Sequence, residues 1–195
     1  MSKIDEFKDY HPRDRRQWRQ WLKKNHDTSP GVWFVYYKKA SGKPRISYDD
    51  AVEEALCFGW IDSLPRKLDN ERSKLLFTPR KPKSVWSKLN KGRIEKLIAQ
   101  NLMTEAGLKK IEAAKQGGSW NKLDEAEALK VPADLDEALK ETKTADKYFN
   151  LFSRSVKKGI LGWIASAKRP ETRLKRIEKT AAMATKNKRV NFDPE

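Results

Sequence analysis

Cysteine is almost missing from this sequence: Cys57 is the only one in 195 residues. An intramolecular disulfide is impossible, and a Cys-rich metal site is excluded. Its place beside Phe58 in an apolar helical pattern marks a packed thiol rather than a nucleophile. Histidine is nearly as scarce, with only His11 and His26, both flanking the first predicted helix. No metal cluster rises above background, and no cofactor is implied. A Gly-x-Ser-x-Gly nucleophile turn and a complete dinucleotide fingerprint are both lacking. Long apolar runs are lacking too. The opening MSKIDEFKDY has no signal-peptide core and no stretch is long and apolar enough to span a bilayer, so a cytoplasmic protein without a transmembrane segment is the default expectation. What the chain has in excess is positive charge, 43 Lys and Arg against 27 Asp and Glu, a formal +16. That balance favours nucleic acid, an acidic macromolecule, an anionic membrane surface or a small anionic ligand as partner, and it serves equally as a solubilising surface.

The stretch Ser47–Ser63 organises the N-terminal half. Ser47 suits an N-cap and Asp50 the reply position of a capping box. Val52, Ala55 and Leu56 recur at helical spacing, with Glu53 and Glu54 read as turned away. Gly59 suits the left-handed end of the helix, and Trp60-Ile61-Asp62 leaves it as an extended segment. Before it, Pro12 opens a predicted helix to about Asn25 whose apolar face is Trp18, Trp21 and Leu22. Val32–Tyr37, apolar on both faces, predicts a central strand. After it, Leu64-Pro65 predicts a turn, and 66–68 and 75–78 predict strands joined around Asp69-Asn70-Glu71.

The remainder reads as helical. Ile94, Leu97 and Ile98 share one helical face, as do Leu108, Ile111 and Ala114 before Gly117-Gly118. Residues 120–146 are locally acidic, with Asp134 a candidate cap for a helix carrying Leu135, Ala138 and Leu139. Further helices are expected through Phe149, across Val156–Ala167, and from Pro170 with Leu174, Ile177 and Ala181 inward. The tail has few structural signals, and the alternatives are fraying or folding back through Val190 and Phe192. The expected class is α+β: a small, mainly antiparallel sheet with covering helices over residues 1–119, a linker over 120–133, and an all-helical unit over 134–189.

Candidate chemistry is sparse. Asp62 at a strand end is the best acidic candidate, with Arg80 as a clamp for negative charge; the plainer role for Asp62 is a hydrogen bond to a neighbouring loop or a salt bridge. Lys38–Arg45 forms a basic exit without the spacing of a phosphate-binding loop. The densest cationic region is C-terminal, where Lys157, Lys158, Lys168, Arg169, Arg173 and Arg176 are concentrated across two helices with Trp163 between them. Guanidinium forks and ammonium groups there suit phosphate. Trp163 between them fits nucleic-acid binding, but its burial fits helix packing better.

Residues 162–177 (Gly-Trp-Ile-Ala-Ser-Ala-Lys-Arg-Pro-Glu-Thr-Arg-Leu-Lys-Arg-Ile) resemble the YdeI/OmpD-associated family, also called bacteriocin-protection proteins. The segments Trp21-Leu22, Asn25-His26, Gly31–Trp33, Glu54–Asp62, Phe77–Arg80 and Ser84–Ser87 resemble the N-terminal half of longer relatives. The resemblance implies a bacterial cytosolic protein with an α+β part, a helical part and a connection to stress or envelope protection. It carries no catalytic residues over. The leading expectation is a non-enzymatic, stress-associated binder of anions or nucleic acid; the alternatives are a small-molecule enzyme using an Asp62/Arg80 cleft and a protein-interaction adaptor.

Overall fold

The computed structural model describes residues 3–190. They divide into two compact units. The first runs through Ser84 and resumes at Leu89–Ser119; the second holds Val85–Lys88 and the chain from Trp120 onward. The first is a mixed sheet with surrounding helices and the second is all-helical, the α+β arrangement expected from the sequence.

The sheet of the first unit comprises β1 (Asp9–Tyr10), β2 (Val32–Tyr37), β3 (Trp60–Lys67) and β4 (Arg72–Pro79) in the order β1-β2-β4-β3. Only β1–β2 is parallel. β2 is central, as its two-sided apolarity predicts. Leu64-Pro65 does not turn the chain. β3 is one strand carrying a bulge: Asp62 faces Phe77 and Pro65 faces Leu75, so Ser63 and Leu64 oppose Leu76 alone. The true reversal follows Lys67, where the Asp69 carboxylate accepts from the backbone N–H groups of Glu71 and Arg72 at 2.9 and 2.6 Å.

One face of the sheet is covered by α1 (Arg15–Asn25) and α2 (Tyr48–Cys57). Helix α1 starts after Pro12, because the Asp14 side chain accepts from the Gln17 N–H and caps it. Trp18 and Leu22 are fully buried, and the Trp18 ring meets Phe34 and Phe77 at 4.9 and 5.3 Å. Helix α2 is capped as expected: the Asp50 N–H donates to Ser47 Oγ at 3.0 Å, and the Ser47 hydroxyl donates to the Asp50 carboxylate at 2.6 Å.

Glu53 and Glu54 overturn an expectation. Both are buried rather than turned to solvent. α1 supplies the reason. Arg15 donates from Nε to Glu54 at 2.6 Å, from Nη2 to Glu53 at 3.1 Å, and also to Asp50; Arg19 donates to the other Glu54 oxygen at 2.7 Å. Burial works against the Arg15 charge, but the Glu54 hydrogen bond and the carboxylates beyond it outweigh that and push its pKa upward. Arg19 also donates to the Leu102 carbonyl at 2.8 Å and lies over the Phe58 ring.

Helices α3 (Lys88–Ala99) and α4 (Glu105–Gln116) complete the first unit. Ile94, Leu97, Ile111 and Ala114 are buried, whereas Ile98 and Leu108, expected inside, are 48% and 45% exposed. The buried stripe is narrower than the run of apolar residues, and small residues make the close approach instead. Thr104 donates from both N and Oγ1 to the Cys57 carbonyl at 3.1 and 2.6 Å. Gly59 there adopts the positive φ of 73° expected of it. Cys57 itself is fully buried, and burial pushes its thiol pKa up despite a bond from Arg19.

The second unit contains α5 (Asp124–Glu127), α6 (Ala133–Lys140), α7 (Lys143–Leu151), α8 (Arg154–Ala165) and α9 (Pro170–Ala184). Its core gathers Leu135, Leu139, Phe149, Ile160, Ile164, Ile177 and Val190 around Ala126, Ala145 and Ala184. Trp86 is buried in this unit beside Trp120 at 5.1 Å. Pro132, not Asp134, is the N-cap of α6; Asp134 sits in the first turn, where a carboxylate meets the positive helix end. Leu174, expected inward, is 58% exposed because Ile177 holds the core-facing position. Val190 packs into the core, the fold-back alternative for the tail, while Phe192 lies outside the described residues.

Three substitutions test this packing and capping. A Cβ on Gly107 would stand 2.4 Å from the Cys57 carbonyl oxygen, whereas Gly92 in α3 has nothing within 4 Å. Gly107→Ala should therefore lower stability by ~1–3 kcal/mol, and Gly92→Ala should raise it by ~0.5–1 kcal/mol, read as urea midpoints. The Ser47 hydrogen bond, opposed by partial burial and aided by Arg15, holds Asp50 below the ordinary carboxylate range. A lowered folded-state value means stability present above the unfolded pKa of ~3.9 and lost as pH falls through the folded value. Ser47→Ala should cost ~1 kcal/mol at neutral pH and shrink that acid-side loss, measured by denaturation between neutral pH and acid.

Candidate functional site

Asp62 and Arg80 stand where the β3–β4 hairpin returns to α2. Trp60 pairs with Pro79, and the Arg80 N–H donates to the Gly59 carbonyl at 2.9 Å. Trp60 is buried, its indole donating to the His26 carbonyl at 3.0 Å. Arg80 is 3% exposed. Burial pulls its pKa down to about 10, with the Asp62 charge resisting. Asp62 accepts from the Tyr48 hydroxyl at 2.8 Å. Partial burial and then that bond push the Tyr48 phenol up to about 12. Arg93 lies over the Tyr48 ring at 5.8 Å and pairs with Asp49. Tyr48 was missed by sequence reasoning; its position as the first residue after the Ser47 cap is the signal that carried it. Chemically the arrangement holds a proton on Tyr48 and a carboxylate acceptor beside it. A groove of about 480 Å³ in this unit lies elsewhere, lined by Phe7, Tyr10, Trp21, Asn25, Pro30 and Gly31 among others.

The C-terminal cations separate into two sets. Arg176 donates to the Trp163 carbonyl and, at 3.0 Å, to Ser166 Oγ, and its guanidinium lies over the Trp163 ring at 4.8 Å. Lys179 lies over the same ring at 5.9 Å. Lys122 donates to the Ala167 carbonyl at 3.3 Å, and Lys168 and Arg169 are exposed in the connection that leads into α9. Trp163 is half-buried, so cations and one aromatic edge meet at the α8–α9 junction. Lys122 and Ser166 were not anticipated; neither carries a sequence signal beyond its residue type.

Arg173 belongs to the other side of α9. It grips Asp134 with two bonds of 2.7 and 2.8 Å. The Arg173 hydrogen bond holds Asp134 below the ordinary carboxylate range, and the Arg173 pKa rises in return. Lys157 donates to the Asn150 carbonyl at 2.8 Å, and Lys158 pairs with Glu127 at 2.9 Å. Of the residues singled out for anions, the fold thus brings Lys168, Arg169 and Arg176 to one junction. It commits Arg173, Lys157 and Lys158 to partners within the unit and keeps Arg80 in the first unit. No group of three His, Cys, Asp or Glu able to hold a metal occurs among the described residues, and no described helix is long and apolar enough to cross a membrane.

Residues 10–110, just over half of the chain, match the family model described as a domain of unknown function, DUF8412. The chain belongs to the DUF8412 family. Residues 128–187 match a second model, described as bacteriocin-protection, YdeI or OmpD-associated. No curated protein and no solved structure matches the chain. The YdeI/OmpD-associated likeness read from residues 162–177 is therefore shown for the C-terminal part, while the DUF8412 match takes in Tyr48, Asp62 and Arg80. The basic junction at Trp163 and the Arg173–Asp134 pair both fall in the YdeI/OmpD-associated segment.

The Tyr48–Asp62 bond has a direct optical readout. Asp62→Asn should move the Tyr48 phenol from about 12 back toward the ordinary value of 10, seen as an earlier tyrosinate absorbance step in an alkaline titration and lost in Tyr48→Phe.

Proposed function

We propose that this DUF8412 protein is a non-enzymatic, cytosolic binder of nucleic acid, acting through the basic junction of its YdeI/OmpD-associated segment. The observation that carries the reading is the convergence of Arg176 and Lys179 on Trp163, with Lys168 and Arg169 exposed alongside. Ammonium and guanidinium groups at that spacing track phosphates, and an aromatic edge between them accepts a base or sugar face. The formal charge of +16 adds long-range attraction for a polyanion. A stress-associated setting is suggested by the bacteriocin-protection description of the matching family.

A second reading is favoured by the Tyr48–Asp62 bond and the Asp62 charge acting on Arg80. In it, Arg80 binds a small anionic substrate and Asp62 is its acid or base. Donors and acceptors held together in this way are common in structural hydrogen bonding as well, and the first reading has more cations converging on one place.

The binding experiment uses labelled single-stranded DNA and RNA, with an acidic polypeptide as comparison, at several salt concentrations. Binding should weaken with salt. Replacing Lys168, Arg169 and Lys179 by Gln should lower the affinity at least tenfold and reduce the log–log salt slope by about 0.7 for each phosphate no longer neutralised. Arg173→Gln should change it little, since that guanidinium is held by Asp134. Undetectable binding at low salt, or equal binding by the triple variant, would defeat the proposal; tighter binding of the acidic polypeptide would replace nucleic acid with a protein partner.

A further inference from the structure

The face of α9 away from Trp163 has the opposite charge. Between α6, the start of α7 and α9 runs a groove of about 720 Å³, lined along α9 from Pro170 to Thr185, roughly 22 Å at the rise of a helix. Ala138, Ala145, Ile177 and Ala181 form its apolar lining, and Leu174 is more than half exposed at its side. Among the described residues the charged lining is acidic: Asp134, Glu137, Glu141 and Glu178, against Arg173 alone. Arg173 is already held by Asp134, which leaves three carboxylates.

Those three are uncompensated. No hydrogen bond or ion pair engages the carboxylates of Glu137, Glu141 or Glu178 among the described residues. Two other acids of this unit are paired, Asp136 with Lys140 at 2.6 Å and Glu125 with Lys130 at 2.6 Å. In a chain with 43 Lys and Arg, a groove edged by three unpaired carboxylates is a local inversion of sign. A cationic occupant removes their mutual repulsion, and an apolar one covers Leu174.

We infer that this groove docks a cationic amphipathic helix from a partner protein. Aliphatic side chains at i, i+3 and i+4 of that helix would lie against Leu174, Ala138 and Ala181, above the buried Ile177, and its Lys or Arg residues would reach Glu137, Glu141 and Glu178. The elongated shape suits a helix better than a compact ligand, and the sign repels nucleic acid. A second copy of the chain fits less well, because two molecules of +16 repel on approach. The groove is thus a site separate from the basic junction, on the other side of the same helix.

The test is fluorescence anisotropy of the full chain with three synthetic peptides. One has Leu on one helical face and Lys on the other; a second has the same composition scrambled to disperse the leucines; a third replaces Lys by Glu. The Lys–Leu peptide should bind best. Glu137→Gln, Glu141→Gln and Glu178→Gln together should weaken it about tenfold or more at low salt. The Lys168/Arg169/Lys179 triple variant should bind it as the parent does, which separates this site from the nucleic-acid proposal. Circular dichroism checks that each variant is folded, and Leu174→Ser supplies an independent variant expected to lose affinity without loss of charge. Unchanged affinity in the glutamine variant, or equal binding of the scrambled peptide, overturns the inference. So does self-association in sedimentation that the glutamine variant abolishes, since the occupant would then be a second copy.

Discussion

A carboxylate removed from water has to be answered, and in the first unit Glu54 sets that requirement. Its side chain is 4% exposed, so leaving it charged without partners would cost several kcal/mol. Arg15 and Arg19, one turn apart on α1, each take one of its oxygens. This adds a directional constraint on the rotation of α1 against α2, because guanidinium forks have direction and hydrocarbon does not. With that rotation set, Trp18 meets Phe34 and Phe77, and Arg19 reaches the Leu102 carbonyl just ahead of α4. Thr104 and Gly107 then close on the Cys57 carbonyl. The helices that cover the sheet are thus joined by directed ion pairs as well as by the burial of Trp18 and Leu22.

Most of the elements were legible because their signals are local. Ser47, Gly59 and the apolar run of Val32–Tyr37 each state a backbone preference that packing had no reason to overrule. The errors have a shared cause. Glu53 and Glu54 read as solvent-facing because their partners lie more than thirty residues away and no periodicity links α1 to α2. Leu108, Ile98 and Leu174 read as inward because an apolar residue beside the core stripe cannot be told from one within it. Leu64-Pro65 read as a turn because a proline in a strand is rare, and a bulge accommodates it.

The candidate sites were less legible than the fold. Arg173 and Arg176 are three apart, which suggested a common role, yet each is captured by a different neighbour: Asp134 on one side, Trp163 and Ser166 on the other. Cation density along a chain does not say which charges are already answered. The same limit hid the groove carboxylates, since Glu137, Glu141 and Glu178 look in sequence like the paired acids around them. α9 consequently separates two surfaces of opposite sign within one short helical unit.

The bulge at Ser63-Leu64 bears on how the protein behaves when concentrated. β3 is the outer strand of the sheet, and Ser63 to Lys67 are exposed. A flat strand there would offer a free ladder to any neighbouring chain. Instead the bulge twists it, Pro65 has no N–H to give, and the exposed Lys67 brings charge to the rim. The opposite rim, β1, is only two residues long. Resistance to edge-to-edge aggregation is thus written into the outer strands, and the proline that obscures β3 in the sequence is part of what keeps the folded molecules apart.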